Sequence, residues 1–156
     1  MRHPSLIPLS HDHHHGLALA LRCRKQALGQ LKPMGTAGLG ERANEFREFY
    51  RGNLVAHFRV EEEVLFPCLR RAAPESASMI DELVNDHARI HGAAADLETG
   101  QGLAKLIFDL GDLLERHIRK EERDLFPLFE KYVDAVQAEA LGVKIKKLLE
   151  GKAADE

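Results

Sequence analysis

Residues 57–67 read HFRVEEEVLFP, and residues 117–127 read HIRKEERDLFP. The two stretches agree at seven of eleven positions: His, Arg, two Glu, Leu, Phe and Pro. Each sits in a longer run whose apolar residues recur every three or four positions, the spacing of one face of an α-helix. Phe46, Tyr50, Leu54, His57, Glu61 and Leu65 make one stripe. Leu106, Leu110, Leu113, His117, Glu121 and Leu125 make the other. Residues four apart on a helix share a face, with Cβ atoms about 6 Å apart. His57 therefore projects beside Glu61, and His117 beside Glu121, inside stripes that should face a core. Burying an uncompensated carboxylate or imidazole is costly, so several buried together call for a cation.

Outward from this repeat, helical spacing runs through nearly the whole chain. The first helix is expected from about Ser10 to Leu31, capped by Ser10, with Leu17, Leu21, Leu28 and Leu31 on its inner stripe. KPMGTAGLG, residues 32–40, is a turn-rich link. The second helix is expected from about Leu39 to Arg71, with Pro67 kinking or loosening its last turn. AAPES then breaks the chain, Ser76 caps a third helix, and that helix ends near ETGQG. The fourth spans about Leu103 to Tyr132. A short fifth, about Asp134 to Leu149, carries Val136, Leu141, Ile145 and Leu148, and the tail GKAADE is expected to fray. No strand pattern appears. The spacing predicts an all-α fold, an antiparallel up-down-up-down four-helix bundle with a short extra C-terminal helix. The bundle core is expected at about 10–132 and the last helix at about 134–149, in one domain over 1–156.

Bulk properties narrow the function. At 156 residues, 44% apolar and 30% charged, the composition is that of a globular protein with a sizeable core. A net charge of −3 offers no basic field to nucleic acid. No apolar run approaches the roughly 20 residues that span a bilayer, and the N-terminus has no secretory pattern. The expectation is a cytoplasmic protein without a nucleic-acid or membrane partner. Cys23 and Cys68 form no CxxC pair, which argues against a disulfide framework or a thiolate metal site. Two inert, partly buried thiols are expected instead.

Nine histidines are the unusual feature. Residues 10–21, SHDHHHGLALAL, hold four of them, His11, His13, His14 and His15. DHHHG in this stretch compares with DHARIHG at residues 86–92, where His87 and His91 again stand four apart. The chain thus reads as two helical hairpins, each with histidine-rich chemistry. Ferritin-like Glu-xx-His pairs, an HExxH motif and a Gly-rich phosphate loop are all missing. Arg59 and Arg119 are expected to make surface ion pairs. Phe58, Phe66 and Phe126 are expected to supply apolar bulk near the ligand helices.

An N-terminal histidine, His57-xxx-Glu61, His87-xxx-His91 and His117-xxx-Glu121, in that order, resemble the hemerythrin-like family of HHE cation-binding domains over roughly residues 10–132. The resemblance implies a bundle holding two non-haem iron ions joined by an oxo or hydroxo bridge. Glu61 and Glu121 would bridge the irons. His87, His91 and His117 would bind one, and His57 with one N-terminal histidine the other. Marine hemerythrins space the last-helix pair by five residues, and Glu122 stands at that spacing, so it competes with Glu121. His14 lies three residues before Leu17 and seven before Leu21, which selects it as the N-terminal ligand. His13, four before Leu17, is the alternative.

That ligand set leaves one position open, on the iron with two histidines. The position suits O2 or a related small ligand such as nitric oxide or peroxide. The expected function is O2 binding, storage or sensing. The alternatives are a stress-response protein that acts on peroxide or nitric oxide or donates iron for repair, and a purely structural bundle. The residues point to a binding protein more than to an enzyme.

Overall fold

Proline, rather than serine, sets where the first helix begins. The structure, a computed structural model, describes residues 2–155, with side chains through residue 151. A 3₁₀ turn at Pro4–Leu6, capped by the His3 side chain, leads into α1 (Ile7–Ala27). Pro8 stands in the first turn, where a missing N–H costs nothing. Ser10 is therefore inside the helix, and its hydroxyl donates to the Glu122 carboxylate at 2.7 Å instead of capping. The inner face of α1 is Leu9, His13, Gly16, Leu19, Ala20, Cys23 and Gln26. The leucine stripe expected from the sequence is not the buried one: Leu21 is 44% exposed and Leu28 60%.

The repeated phrases lie in the two longest helical runs, α2 (residues 35–72) and α4 (residues 103–132). Both contain a wider, π-type turn, at Glu61–Leu65 and Glu121–Leu125. At the end of each, the N–H of Phe66 or Phe126 reaches back five residues to the carbonyl of Glu61 or Glu121. Pro67 and Pro127 follow at once. A proline has no N–H to donate and its ring crowds the preceding turn, and the widened turn takes up that defect without ending the helix. Pro67 was expected to loosen a last turn, but α2 runs on to Ala72. A third π turn, Tyr50–Leu54, precedes His57 in α2.

The third helix, α3 (Ala77–Asp96), begins after Ser76 as expected. Its hydroxyl, however, donates back to the Ala73 carbonyl at 2.7 Å. The last helix, α5 (Ala135–Asp155), is as long as α1 rather than short. Asp134 stands just before it, and its carboxylate accepts from the Gln137 N–H at 2.8 Å. Ala138, Leu141 and Ile145 are its buried face, while Val136 and Leu148, expected inside, are exposed. The tail expected to fray is helical through Asp155, and Glu156 lies outside the described residues. Among the described residues there is no strand, and no helix is long and apolar enough to cross a membrane. Both cysteines are buried and unpaired, and burial pushes the Cys23 thiol up to about 12, which makes it unreactive.

Two apolar clusters flank a buried polar layer. One holds Leu9, Val60, Leu65, Phe66, Leu83, Leu125 and Phe126, with the inner face of α5. The other holds Leu19, Cys23, Phe46, Leu54, Phe58, Ile90, Leu114 and Ile118. His13 and His87 lie between the two clusters in sequence on α1 and α3, and His57, Glu61, His117 and Glu121 lie around the crossover from one cluster to the other on α2 and α4. α1 and α4 approach closely enough that a Cβ on Gly111 would meet the Ala20 carbonyl oxygen at 2.7 Å. Gly111→Ala is expected to lose about 1–2 kcal/mol of stability in urea unfolding, the clash outweighing the better helix propensity. Gly92→Ala, with nothing within 4 Å of its new Cβ, should gain stability. Equal stability of the two variants would show that this contact does not limit α1–α4 packing.

Candidate metal centre

Four helices each contribute to one buried polar layer. α1 brings His13, α2 brings His57 and Glu61, α3 brings His87, and α4 brings His117 and Glu121. None of the six is more than 4% exposed. Two overlapping groups form: His13, His57, Glu61 and Glu121, and then Glu61, His87, His117 and Glu121. Within each group the candidate ligand atoms all lie within 4.8 Å of one another. Either group can hold a metal ion, and the two share both carboxylates.

The carboxylates are oriented alike. One oxygen of Glu61 lies 3.4 Å from His57 Nε2 and the other 3.0 Å from His87 Nε2. One oxygen of Glu121 lies 2.9 Å from His13 Nε2 and the other 2.8 Å from His117 Nε2. Each glutamate therefore turns one oxygen to each half. These close approaches do not have hydrogen-bond geometry. Both oxygens of Glu61 and of Glu121, and the Nε2 atoms of His13, His87 and His117, are buried without a hydrogen-bond partner. Orphaned polar atoms of this kind are rare and costly. Metal–nitrogen and metal–oxygen bonds of roughly 2.1 Å put neighbouring ligands of one ion about 3 Å apart, which is the spacing observed. The residues present thus fit a cation in each half.

Each inward imidazole is held from behind. The Nδ1 atoms of His13, His57, His87 and His117 pair with carboxylates of Glu122, Asp12, Glu62 and Asp86 at 2.5, 3.1, 2.8 and 3.0 Å. With Nδ1–H donating to a carboxylate, the Nε2 lone pair is left facing the centre, the usual support of a metal-binding histidine. The pairing is internally symmetric. Asp12-His13 matches Asp86-His87, and His57-xxx-Glu61-Glu62 matches His117-xxx-Glu121-Glu122.

Charge in this layer is finely divided. Burial and the neighbouring Glu121 charge push the Glu61 carboxyl well above its ordinary range. Burial works against ionised Glu121 too, but the neighbouring His117 charge outweighs it and holds its carboxyl well below that range. Burial and the His117 charge drive His87 down to about 2. For His117 burial is overcome by Glu121 and Asp86, and its value rises to about 9. A divalent cation would take the place of the protons these groups otherwise hold.

Aromatic rings close the layer. Phe58 stacks on His87 with centroids 3.9 Å apart, and Phe126 stacks on His13 at 5.4 Å. Phe66 stacks on the other side of the layer from Phe58, against His87 at 5.8 Å. All three, expected as apolar bulk, are fully buried. Arg119 pairs with Glu115 on the surface at 3.0 Å.

This geometry revises the choice of the N-terminal histidine and places two other residues outside the two groups. His14, favoured by the leucine stripe, is exposed, and His13 occupies the layer in its place. The reason is the helix register: the buried face follows the small residues Gly16, Ala20 and Cys23 that let α1 approach α4. Glu122, the competitor of Glu121, is half-buried and accepts from His13 Nδ1 and Ser10 rather than facing the centre. His91 belongs to neither group. It is half-buried one turn beyond His87, edge-on to Phe58, and its Nδ1 is hydrogen-bonded to the Tyr50 hydroxyl. The orienting carboxylates Asp12, Glu62 and Asp86 were not singled out from the sequence, although each is the direct neighbour of a repeated ligand position.

The family described as hemerythrin HHE cation binding domain matches residues 5–139. Comparisons with curated proteins and with solved structures found no match.

Proposed function

Since the chain belongs to the hemerythrin HHE cation-binding domain family, we propose that it is a non-haem di-iron protein that binds O2, or a related small ligand, for binding, storage or sensing. The observation that carries this reading is the shared pair Glu61 and Glu121, each with one oxygen turned to each half. Two closed structural sites have no need to share ligands, whereas a dinuclear centre does. An imidazole and carboxylate donor set without thiolate suits iron. Two irons with a bridging oxide or hydroxide would supply the electrons that a bound small molecule takes up and returns.

The chain's own residues set the terms of that chemistry. Asp12, Glu62, Asp86 and Glu122 fix the tautomer of the four inward histidines and make them stronger donors. Phe58, Phe66 and Phe126 keep water from the layer. His91 serves as the fifth histidine, on the half of His87 and His117, with Tyr50 as its outer partner. By the alignment that pairs His13 with His87, Leu17 stands where α3 carries His91. The half of His13 and His57 therefore has no fifth imidazole, and an apolar side chain in its place favours a small, uncharged ligand there. The antiparallel up-down-up-down order belongs to this reading. It is supported by the chain's passage between the two apolar clusters, from Leu9 to Leu19 in α1, back from Phe58 to Leu65 in α2, and again in α3 and α4.

The test is metal analysis followed by anaerobic reduction and mixing with O2. Two irons per chain are expected, with an optical change that reverses when O2 is removed. One metal per chain in fully loaded protein would overturn the dinuclear reading. Irreversible oxidation by O2, together with fast turnover of peroxide or nitric oxide, would overturn the binding role in favour of an enzymatic one.

A further inference from the structure

α1 divides the N-terminal histidines between its two sides. His13 enters the buried layer, while His11, His14 and His15 are exposed. His11 and His15 are one turn apart, and their rings meet edge to face with centroids 4.7 Å apart and planes at 83°. Their Nε2 atoms are 3.3 Å apart. His14 is a neighbour of this pair rather than a member, its ring centroid 6.2 Å from that of His15.

Two exposed imidazoles gain little from a hydrogen bond to each other, because water serves each nitrogen as well. A shared cation is different. A tetrahedral ion with metal–nitrogen bonds of about 2.0–2.1 Å holds two ligand nitrogens about 3.3 Å apart. The helix backbone sets the spacing in advance, so the second nitrogen binds at little further entropic cost. We propose that His11 and His15 form a surface site for one divalent cation of the Zn2+ class, separate from the buried centre and using none of its ligands. Water completes the coordination. The site lies on the outer side of the same helical turns whose inner side carries His13, about one helix diameter, roughly 10 Å, from the buried layer.

The experiment is equilibrium dialysis of iron-loaded protein against Zn2+, with zinc and iron both measured per chain. One zinc is expected to bind without loss of iron. His11→Ala and His15→Ala should each weaken it by at least about tenfold, since each removes one arm of a chelate. His14→Ala should leave it unchanged. All three positions are exposed, so the variants should keep the wild-type circular dichroism and iron content. The proposal is overturned if iron-loaded protein takes up no zinc, if zinc enters only as iron leaves, or if His14→Ala removes the site while the other two variants retain it. Each of those outcomes leaves the di-iron reading standing, because that reading is judged by iron stoichiometry alone.

Discussion

Glu61→Ala and Glu121→Ala are each expected to weaken iron binding at both positions of the centre, not at one. Each carboxylate has an oxygen toward each half, at 3.4 and 3.0 Å from the two imidazoles for Glu61 and at 2.9 and 2.8 Å for Glu121. Loss of a carboxylate that only supports a ligand typically costs 10–100-fold in metal affinity, so loss of a shared ligand should exceed about 100-fold. A metal held at a thousand times its dissociation constant stabilises the folded state by about 4 kcal/mol. Losing that linkage should lower the melting temperature on the order of 10 °C for a chain of this size. Without metal the sign should reverse. Glu61 is fully buried, and burial and the Glu121 charge raise its carboxyl. Glu61→Gln keeps the shape and is neutral like the protonated carboxyl, so after treatment with a chelator it should be at least as stable as wild type. Glu122→Ala should cost only about tenfold in affinity, as an orienting group. If Glu122→Ala strips the iron and Glu121→Ala does not, the wrong glutamate has been placed at the centre.

Much of this site is legible in the sequence because helical period and repetition reinforce each other. His57, Glu61, His117 and Glu121 interrupt apolar stripes at helical spacing, and all four are buried where the stripes put them. The first helix is harder to read, for a physical reason. Its most conspicuous apolar residues are leucines, but α1 packs so closely on α4 that Gly16, Ala20 and Cys23 share the buried face with Leu9 and Leu19. Leu21 falls on the outer face, and Leu28 lies past the helix end. Hydrophobicity alone therefore points to the wrong face and to His14. The better signal is internal: matching DHHHG to DHARIHG from the aspartate aligns His13 with His87. The same match would have brought out Asp12 and Asp86 as the carboxylates behind His57 and His117. The π turns leave no comparable signal. A period of 3.6 and a local widening differ by one residue, and only the Phe-Pro pair after the turns at Glu61–Leu65 and Glu121–Leu125 marks the place. The partnership of Tyr50 with His91 was equally hidden, because it joins α2 to α3 through side chains forty-one positions apart.

His13→Ala should remove one iron and leave the other. His13 lies only in the group with His57, while His87 and His117 serve the other half with the same two glutamates. The variant also loses the stack on Phe126 and leaves Glu122 without the imidazole it holds at 2.5 Å. Glu121 keeps its second oxygen at 2.8 Å from His117, so the remaining position retains two imidazoles and both carboxylates. Iron content should fall from two to about one per chain, and magnetic coupling between irons should vanish from the spectrum of the oxidised protein. The loss should not come from unfolding, because the apolar face of α1 against α4 is untouched. Circular dichroism of the chelator-treated variant should match that of chelator-treated wild type. His87→Ala is the mirror experiment and should empty the opposite half, where His91 stands nearby. His14→Ala should change neither iron content nor stability, since its ring is exposed and outside both groups. Two irons retained in His13→Ala, with iron lost from His14→Ala, would mean that α1 turns its other face to the centre when metal is bound.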